Sequence, residues 1–394
     1  MVVDPRENPY TPNAGARPPL LVGRDEELAG FDLLLARLSR GHTEQSMVIT
    51  GLRGVGKTVL LGEFRTATEA AGWVAVEAEI TRQTMFGQRI ALLARRALLQ
   101  VAPRARWKER ARRAAGVLKS FTLTVASDGA WTAGLDLDAV EGEADSGHLA
   151  DDLPDVFIAL GEAARDHQTG IVFLFDEIQF LTAADLEALI AALHKTVQRG
   201  LPVTMVAAGL PQIPRLAGEA KSYAERLFTF PEIGRLPRAD AVEALVGPAR
   251  AAGADIEAAA ALEIVSYAEG YPYFIQECGK AVWDAATSSP IGVEAVNSVR
   301  PLVEAKLDAG FFRVRAERAA AHELQYLRAM ASLGPGPHKA SAVAKALGKR
   351  SAQLAPTRAR LIEKGLLYTP AYGLAAFTVP QFDRYLVRNY AERD

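Results

Sequence analysis

Gly51-Leu52-Arg53-Gly54-Val55-Gly56-Lys57-Thr58 fits the pattern G-x-x-x-x-G-K-[ST] in full. Before it, Met47 to Thr50 is a short apolar run that reads as a buried strand. After it, Thr58 to Ala71 carries Leu60, Leu61, Phe64 and Ala67 at helical spacing until Gly72. A strand that enters a glycine-rich turn and leaves as a helix is the setting this loop needs to hold phosphate. The glycines let backbone N–H groups turn inward on the α- and β-phosphates, and the helix N-terminus adds its positive end. Gly51 to Thr58, with Val59 behind them, are therefore candidate nucleotide-binding positions. Lys57 is placed to reach the β- and γ-phosphates, and the Thr58 hydroxyl to ligate magnesium.

Outward from the loop, Trp73 to Ile80 is the next strand. Strand, loop, helix and strand make a βαβ unit, which implies a parallel sheet with helices on both faces. Ile171-Val-Phe-Leu-Phe-Asp176-Glu177 is a buried strand that delivers two carboxylates at its C-terminal edge, beside the phosphate loop. Asp176 suits the magnesium shell and Glu177 suits a general base that polarises an attacking water. Val203 to Ala208 is a further strand, after a helix Ala183 to Gln198, and Phe228 to Phe230 a fifth.

Residues 83 to about 118 read as helical and basic, with a run from Arg104 to Arg113 whose plainer reading is a solvated helix face. In FTLTVASDGAWTAGLDLDAV, alternating Phe121, Leu123 and Val125 face alternating Trp131, Ala133, Leu135 and Leu137 across a Ser-Asp-Gly turn. That predicts an inserted β-hairpin at about 120–140. Beyond Leu236 the strand signals stop, and Ala239 to Ala252, Ile256 to Ala268, Tyr273 to Ala286 and Gly292 to Ala309 read as helices. From about Ala316 come three helices and a hairpin, the order of a winged helix-turn-helix. The expected organisation is a tail at 1–20, an α/β nucleotide-binding domain at 21–235, a helical lid at 236–315 and a winged-helix domain at 316–394.

Composition narrows the function classes. The 394 residues carry a formal net charge of -2, so no global field announces a polyanionic partner. Charge is segregated, though: from Ala316 onward there are 12 Lys and Arg against 6 Asp and Glu. Lys339, Lys349, Arg350, Arg358, Arg360 and Lys364 surround the expected recognition helix, which suits DNA phosphate contacts. A single cysteine, Cys278, excludes an internal disulfide and a multi-thiolate zinc site, and the histidines show no metal-ligand spacing. The first twenty residues lack the pattern of a secretory signal and no apolar run is long enough to span a bilayer, so a cytoplasmic location without membrane contact is expected.

With both halves of the site on the page, the chain resembles the AAA+ superfamily of P-loop NTPases, nearest the branch joining origin-recognition ATPases with STAND signalling ATPases. It is also similar to actinobacterial ATPases that carry the same Gly209-Leu-Pro and Gly270-Tyr-Pro segments. The resemblance implies an ATP/ADP-binding, magnesium-dependent ATPase and a parallel-sheet core with an all-helical lid. Leu21-Val22-Gly23-Arg24-Asp25 is similar to the branch's opening motif, which places Val22 and Gly23 near adenine. Gly270-Tyr271-Pro272 stands where the branch has a sensor arginine or a Gly-x-Pro turn, which places Pro272 at the nucleotide. Arg226 stands where the branch has an arginine finger, catalytic on a neighbouring subunit and implying a homo-oligomer. Its plainer reading is a surface ion pair with Glu225 or Glu232. One departure concerns the end of the fourth strand, Val206-Ala-Ala-Gly-Leu210, which has no polar residue to orient water. Thr204 and Gln212 are the substitutes, and slow hydrolysis with ATP as a switch is the expectation. The alternative output is a signalling or scaffold ATPase whose winged helix binds a protein.

Overall fold

The computed structural model describes residues 3–103, 105, 107–125 and 138–390. At its centre five parallel strands, β1 (Ser46–Thr50), β2 (Val74–Glu79), β3 (Ile171–Asp176), β4 (Val203–Gly209) and β5 (Phe228–Thr229), lie in the order β2-β3-β4-β1-β5. Every residue of β1 and β4 is buried. Strands covered on both faces read as unbroken apolar runs, which is why these two stood out in the sequence. The order sets β4 between β1 and β3, with Met47 opposite Val206 and Phe173 opposite Met205. The C-terminal end of β4 therefore lies between the loop after β1 and the carboxylates after β3.

One face of the sheet is covered by α1 (Asp25–Ser39) and α2 (Lys57–Ala70), where Phe31 packs on Phe64 with ring centroids 4.5 Å apart. The other face carries α3 (Phe86–Val101), α4 (Glu109–Val125), α5 (Leu149–Asp166) and α6 (Ala183–Gln198). Phe157 of α5 stacks on Phe173 of β3 at 4.6 Å. Thr182 and Asp185 form a reciprocal capping box that starts α6. The short helices α7 (Ile213–Ala220) and α8 (Ala224–Leu227) lead into β5.

The expected hairpin at 120–140 is corrected in its first arm, because Phe121, Leu123 and Val125 belong to α4. Burial there follows the helical period: Ala111, Ala114, Ala115, Leu118, Phe121 and Thr122 are buried, whereas Leu123 is 51% exposed. Apolar residues at alternate positions satisfied both patterns, and packing against α5 selected the helix. Residues 126–137, with Trp131 to Leu137, lie outside the described residues. So do Arg104 and Arg106 of the basic run. Of the rest, Lys108 pairs with Asp166 at 3.9 Å and Arg113 with Glu143 at 2.7 Å and Glu162 at 3.2 Å, which is the behaviour of a solvated face.

Four helices follow the sheet: α9 (Arg238–Ala251), α10 (Ala258–Ala268), α11 (Pro272–Ala285) and α12 (Val293–Lys306). Pro272 opens α11 at its first turn, where a missing N–H costs nothing. Six residues of π-helix, Leu307–Phe312, join α12 to α13 (Arg313–Ala316). The C-terminal unit runs α14 (Ala321–Ala331), β6 (His338–Lys339), α15 (Ala340–Ala346), α16 (Ser351–Glu363), β7 (Leu367–Tyr368), β8 (Leu374–Phe377) and α17 (Phe382–Asn389). Its three strands form an antiparallel sheet in the order β6-β8-β7. Phe312 stacks on Tyr385 of α17 at 5.3 Å, so this unit shares a core with the helices before it.

The N-terminal tail packs on the helical layer. The Tyr10 hydroxyl donates to the Leu245 carbonyl at 2.5 Å, Trp283 Nε1 donates to the Asp4 carbonyl at 2.9 Å, and Asn8 Nδ2 donates to the Lys280 carbonyl at 3.0 Å. Among the described residues no helix is long and apolar enough to cross a membrane. Since Phe173 is fully buried and stacked, Phe173→Ala is expected to cost about 3–5 kcal/mol, read as a lowered midpoint in urea unfolding.

Candidate active site

The loop after β1 is shaped by lack of room behind it. A Cβ on Gly51 would lie 2.3 Å from the Ile233 carbonyl oxygen, so only glycine passes there. The Gly51 N–H donates to the Gly209 carbonyl at 3.1 Å, tying the loop to the end of β4. Gly54 and Gly56 take φ of +82° and +96°, the left-handed backbone that opens the turn into α2. Lys57 is buried at the start of that helix, and its ammonium donates to the carbonyls of Gly51 at 2.9 Å and Leu52 at 2.8 Å. Burial pulls its pKa down to about 8. The carboxylates of Glu177 and Asp176 oppose that shift, and the Arg53 charge adds to it.

Asp176 and Glu177 arrive at the end of β3. The Thr58 hydroxyl donates to Asp176 Oδ2 at 2.6 Å, and Asp176 Oδ1 accepts from the Glu177 N–H at 2.8 Å. A hydroxyl and a carboxylate at one point are the hard oxygen donors that magnesium takes, few in number because the ion keeps phosphate and water as its other ligands. The pair thus fits a nucleotide-bound magnesium. Among the described residues no cluster of three or more His, Cys, Asp or Glu could hold a metal by itself.

Glu177 adopts φ of +55°, an uncommon backbone for a residue with a side chain and one that marks functional turns. Its carboxylate accepts from Arg53 Nη1 at 3.2 Å and Nη2 at 3.1 Å, and also from Gln179 Nε2. Gln179 Oε1 in turn accepts from the Leu210 N–H at 3.1 Å. Gln179 therefore places a polar side chain beside the end of β4, where the sequence offered Thr204 or Gln212 as substitutes. Thr204 is buried between strands, within 3.1 Å of the Ser46 hydroxyl, and the Gln212 side-chain oxygen is buried without a partner among the described residues. Gln179 was missed because it follows β3 rather than β4; its one sequence signal is its place two residues after Glu177.

A cavity of about 510 Å³ opens over the loop, lined by Arg53 to Val59, Val22 and Pro272 among the expected residues. Gly51 and Leu52 instead support it from behind through Lys57. Gly23 also stands back from the cavity, and Arg24 lines it, with Nη2 donating to the carbonyls of Val55 at 3.1 Å and Gly234 at 2.9 Å. Three further segments contribute to the walls. The tail from Thr11 to Ala16 is one, with Gly15 so near that a Cβ there would lie 3.4 Å from Thr58 Cγ2. Tyr273 is the second, its N–H donating to the Gly54 carbonyl at 3.3 Å. Phe311 and Arg315 are the third. The C-terminal unit also reaches the loop directly, since the Arg53 N–H donates to the Thr378 carbonyl at 3.1 Å. Arg226 is exposed on α8, outside this cavity, with no ion pair to Glu225 or Glu232.

Residues 20–206 match the family model described as an AAA ATPase domain, and residues 309–386 match one described as a domain of unknown function (DUF8462). No curated protein matches the sequence. Among solved structures, the Walker-type ATPase of Pyrococcus abyssi is similar at a TM-score of 0.56 and 15% identity, over 94% of this chain and 97% of that one. The Thermotoga maritima RuvB Holliday junction branch migration motor gives 0.43 and 17%, over 92% and 94%. Aeropyrum pernix ORC1 in complex with DNA gives 0.46 and 14%, over 95% and 94%. Lys57→Ala is expected to weaken nucleotide binding by roughly 100-fold or more, while Glu177→Gln retains binding and stops turnover. Equilibrium binding and phosphate-release assays check both.

Proposed function

From the premise that the chain carries an AAA ATPase domain in an AAA+ P-loop fold, we propose that it is an ATP-driven molecular switch whose output is the position of its basic C-terminal unit. The observation that carries this reading is Arg53. One residue of the phosphate loop holds the Glu177 carboxylate with its guanidinium and the Thr378 carbonyl with its backbone N–H. A triphosphate in the loop competes with Glu177 for that guanidinium. Winning it frees the carboxylate and disturbs the grip on Thr378, so the two states differ in affinity for ATP, as a switch requires.

The cavity suits the ligand, with Arg24, Arg53, Lys57 and Arg315 in its lining and Glu177 as the one carboxylate there among the described residues. Backbone N–H groups of the loop take the inner phosphates, and Lys57 exchanges its carbonyl partners for the outer ones. Thr58 and Asp176 would hold a magnesium ion, which would neutralise charge on the phosphates. Glu177, once released, accepts a proton from the attacking water, and Gln179, anchored on the Leu210 N–H, orients that water. In the resting arrangement Glu177 is occupied, which supports slow basal hydrolysis. Arg226 acts as a finger on a neighbouring subunit; its exposure outside its own cavity, with no carboxylate partner among the described residues, supports this.

The output is DNA binding through a winged helix. Lys339, Lys345, Lys349, Arg350 and Arg360 are exposed around α15 and α16, with no ion pair to a carboxylate among the described residues. Lys364 does not join them, since it is spent on the buried Glu323 at 2.5 Å and the Arg318 carbonyl at 2.9 Å. Such a surface contacts phosphates and positions the protein without reading bases.

Anisotropy titrations with duplex DNA are expected to show binding that weakens steeply with salt and differs at least roughly fivefold between ADP and a non-hydrolysable ATP analogue. Absent or salt-insensitive binding overturns the DNA output and points to a protein partner. Arg53→Ala, by freeing Glu177, is expected to raise kcat. An unchanged kcat in steady-state phosphate release excludes the latch.

A further inference from the structure

Gln276 is a buried amide on the wall of the phosphate-loop cavity, only 8% exposed, with most of its hydrogen-bonding capacity unused. It lies on α11, one turn beyond Pro272 and Tyr273, which line the same cavity. Its Oε1 accepts from the Thr11 N–H at 3.1 Å. A backbone N–H can only donate, so the oxygen must face Thr11 and the orientation of the amide is set. Nε2 has no hydrogen-bond partner among the described residues, and Oε1 keeps a second lone pair. A buried amide short of partners is costly, and a ligand that supplies them relieves the cost.

Thr11 is itself held firmly. Tyr10 lies against α11 where Gly279 leaves room, since a Cβ there would come within 2.6 Å of the Tyr10 ring. The Tyr10 hydroxyl on the Leu245 carbonyl and Asn8 on the Lys280 carbonyl fasten the same stretch of tail. The cavity also changes character along its length. Arg53, Lys57 and Glu177 line it at the phosphate loop, whereas Thr11 and Gln276 line it together with Leu20 and Ala244. Leu20 packs on α9 so closely that a Cβ on Gly247 would lie 2.6 Å from its Cδ2. A nucleotide whose phosphates sit on the loop puts its base on this apolar side, within reach of the Gln276 amide.

On the ATP-binding reading above, on which this rests, we propose that Gln276, aimed by the Thr11 N–H, selects the base. Its Oε1 accepts from the adenine N6 amino group and its Nε2 donates to the neighbouring ring nitrogen. An amide presents an acceptor and a donor side by side, and adenine presents the complement. Guanine in the same pose sets O6 against Oε1, acceptor against acceptor, and the Thr11 N–H opposes the flip that would rescue it.

The test measures Kd on the full chain, with magnesium, for ATP, GTP and purine riboside triphosphate, which lacks the N6 amino group. The wild type is expected to bind ATP roughly ten- to a hundredfold more tightly than either of the others. Equal affinity for ATP and either analogue overturns the proposal while leaving nucleotide binding intact, and this arm depends on no variant's folding. Gln276→Glu keeps an acceptor for Thr11 but removes the donor, and its carboxylate suits the N1–H and N2 amino group of guanine. It is expected to lower the preference for ATP over GTP by about tenfold or more, and Gln276→Leu to weaken ATP by about tenfold while changing GTP by less than about threefold. If Gln276 only holds the tail, the variants weaken all three nucleotides in parallel, and that result refutes the base-selecting role. A wild-type chain that binds none of the three overturns the ATP reading itself and this inference with it.

Discussion

There is no room behind Gly51. With its Cα against the Ile233 carbonyl and its N–H on Gly209, the phosphate loop is pinned between the end of β4 and the chain that follows β5. That confinement presses Lys57 into a buried position where its ammonium must use the loop's own carbonyls, and it leaves Arg53 as the residue free to reach outward. Each later contact builds on this pinning. The helical layer reaches Gly54 through Tyr273, and the C-terminal unit reaches Arg53 through Thr378, so both grip a loop that cannot retreat. A looser loop would absorb a bound phosphate without passing any force on.

Arg53 has two possible partners at the loop, the Glu177 carboxylate that it holds and a bound phosphate. Two unit charges about 4 Å apart interact by about 4 kcal/mol at an effective dielectric of 20, so exchanging a Glu177 carboxylate for a phosphate at Arg53 trades one strong contact for another. What selects between them is small: the second carboxylate contact from Gln179, the desolvation of each group, and the number of phosphates present. An arrangement with nearly equal alternatives is what a nucleotide-dependent switch needs, since a ligand moves an equilibrium only by its differential affinity.

The C-terminal unit shows how charge is sorted by packing. Lys364 and Glu323 form an internal pair beside the Ala320 N–H, which Glu323 also accepts at 2.7 Å, and this fastens α16 to the start of α14. Lys345 of α15 and Arg360 of α16 stay exposed, as do Lys339, Lys349 and Arg350 beside them. Counting cations along the chain treats these two groups alike. Only their neighbours separate structural charge from charge available to a partner.

Much of the fold is legible in the sequence because its signals are local. The glycines of 51–56, the unbroken apolar runs of β1, β3 and β4, the acids that end β3 and the helical spacing of Leu60, Leu61 and Phe64 each report backbone geometry or two-sided burial over a few residues. They are sufficient for a parallel sheet with a phosphate loop and paired carboxylates. The alternation at Phe121, Leu123 and Val125 misled because its apolar residues fit a helix face as well, and only packing on α5 decided. The tail at Thr11 to Ala16 and Arg315 on Phe311 had no local signal at all, and Gln179 beside Leu210 had only its place two residues after Glu177. They meet at the loop because β4 lies between β1 and β3, and because the helical layer folds back over the sheet. The sequence by itself determined which chemistry the loop can hold, since that depends on residue types at fixed spacing; the tertiary structure alone decided which distant side chains close the site, since that depends on where packing brings them.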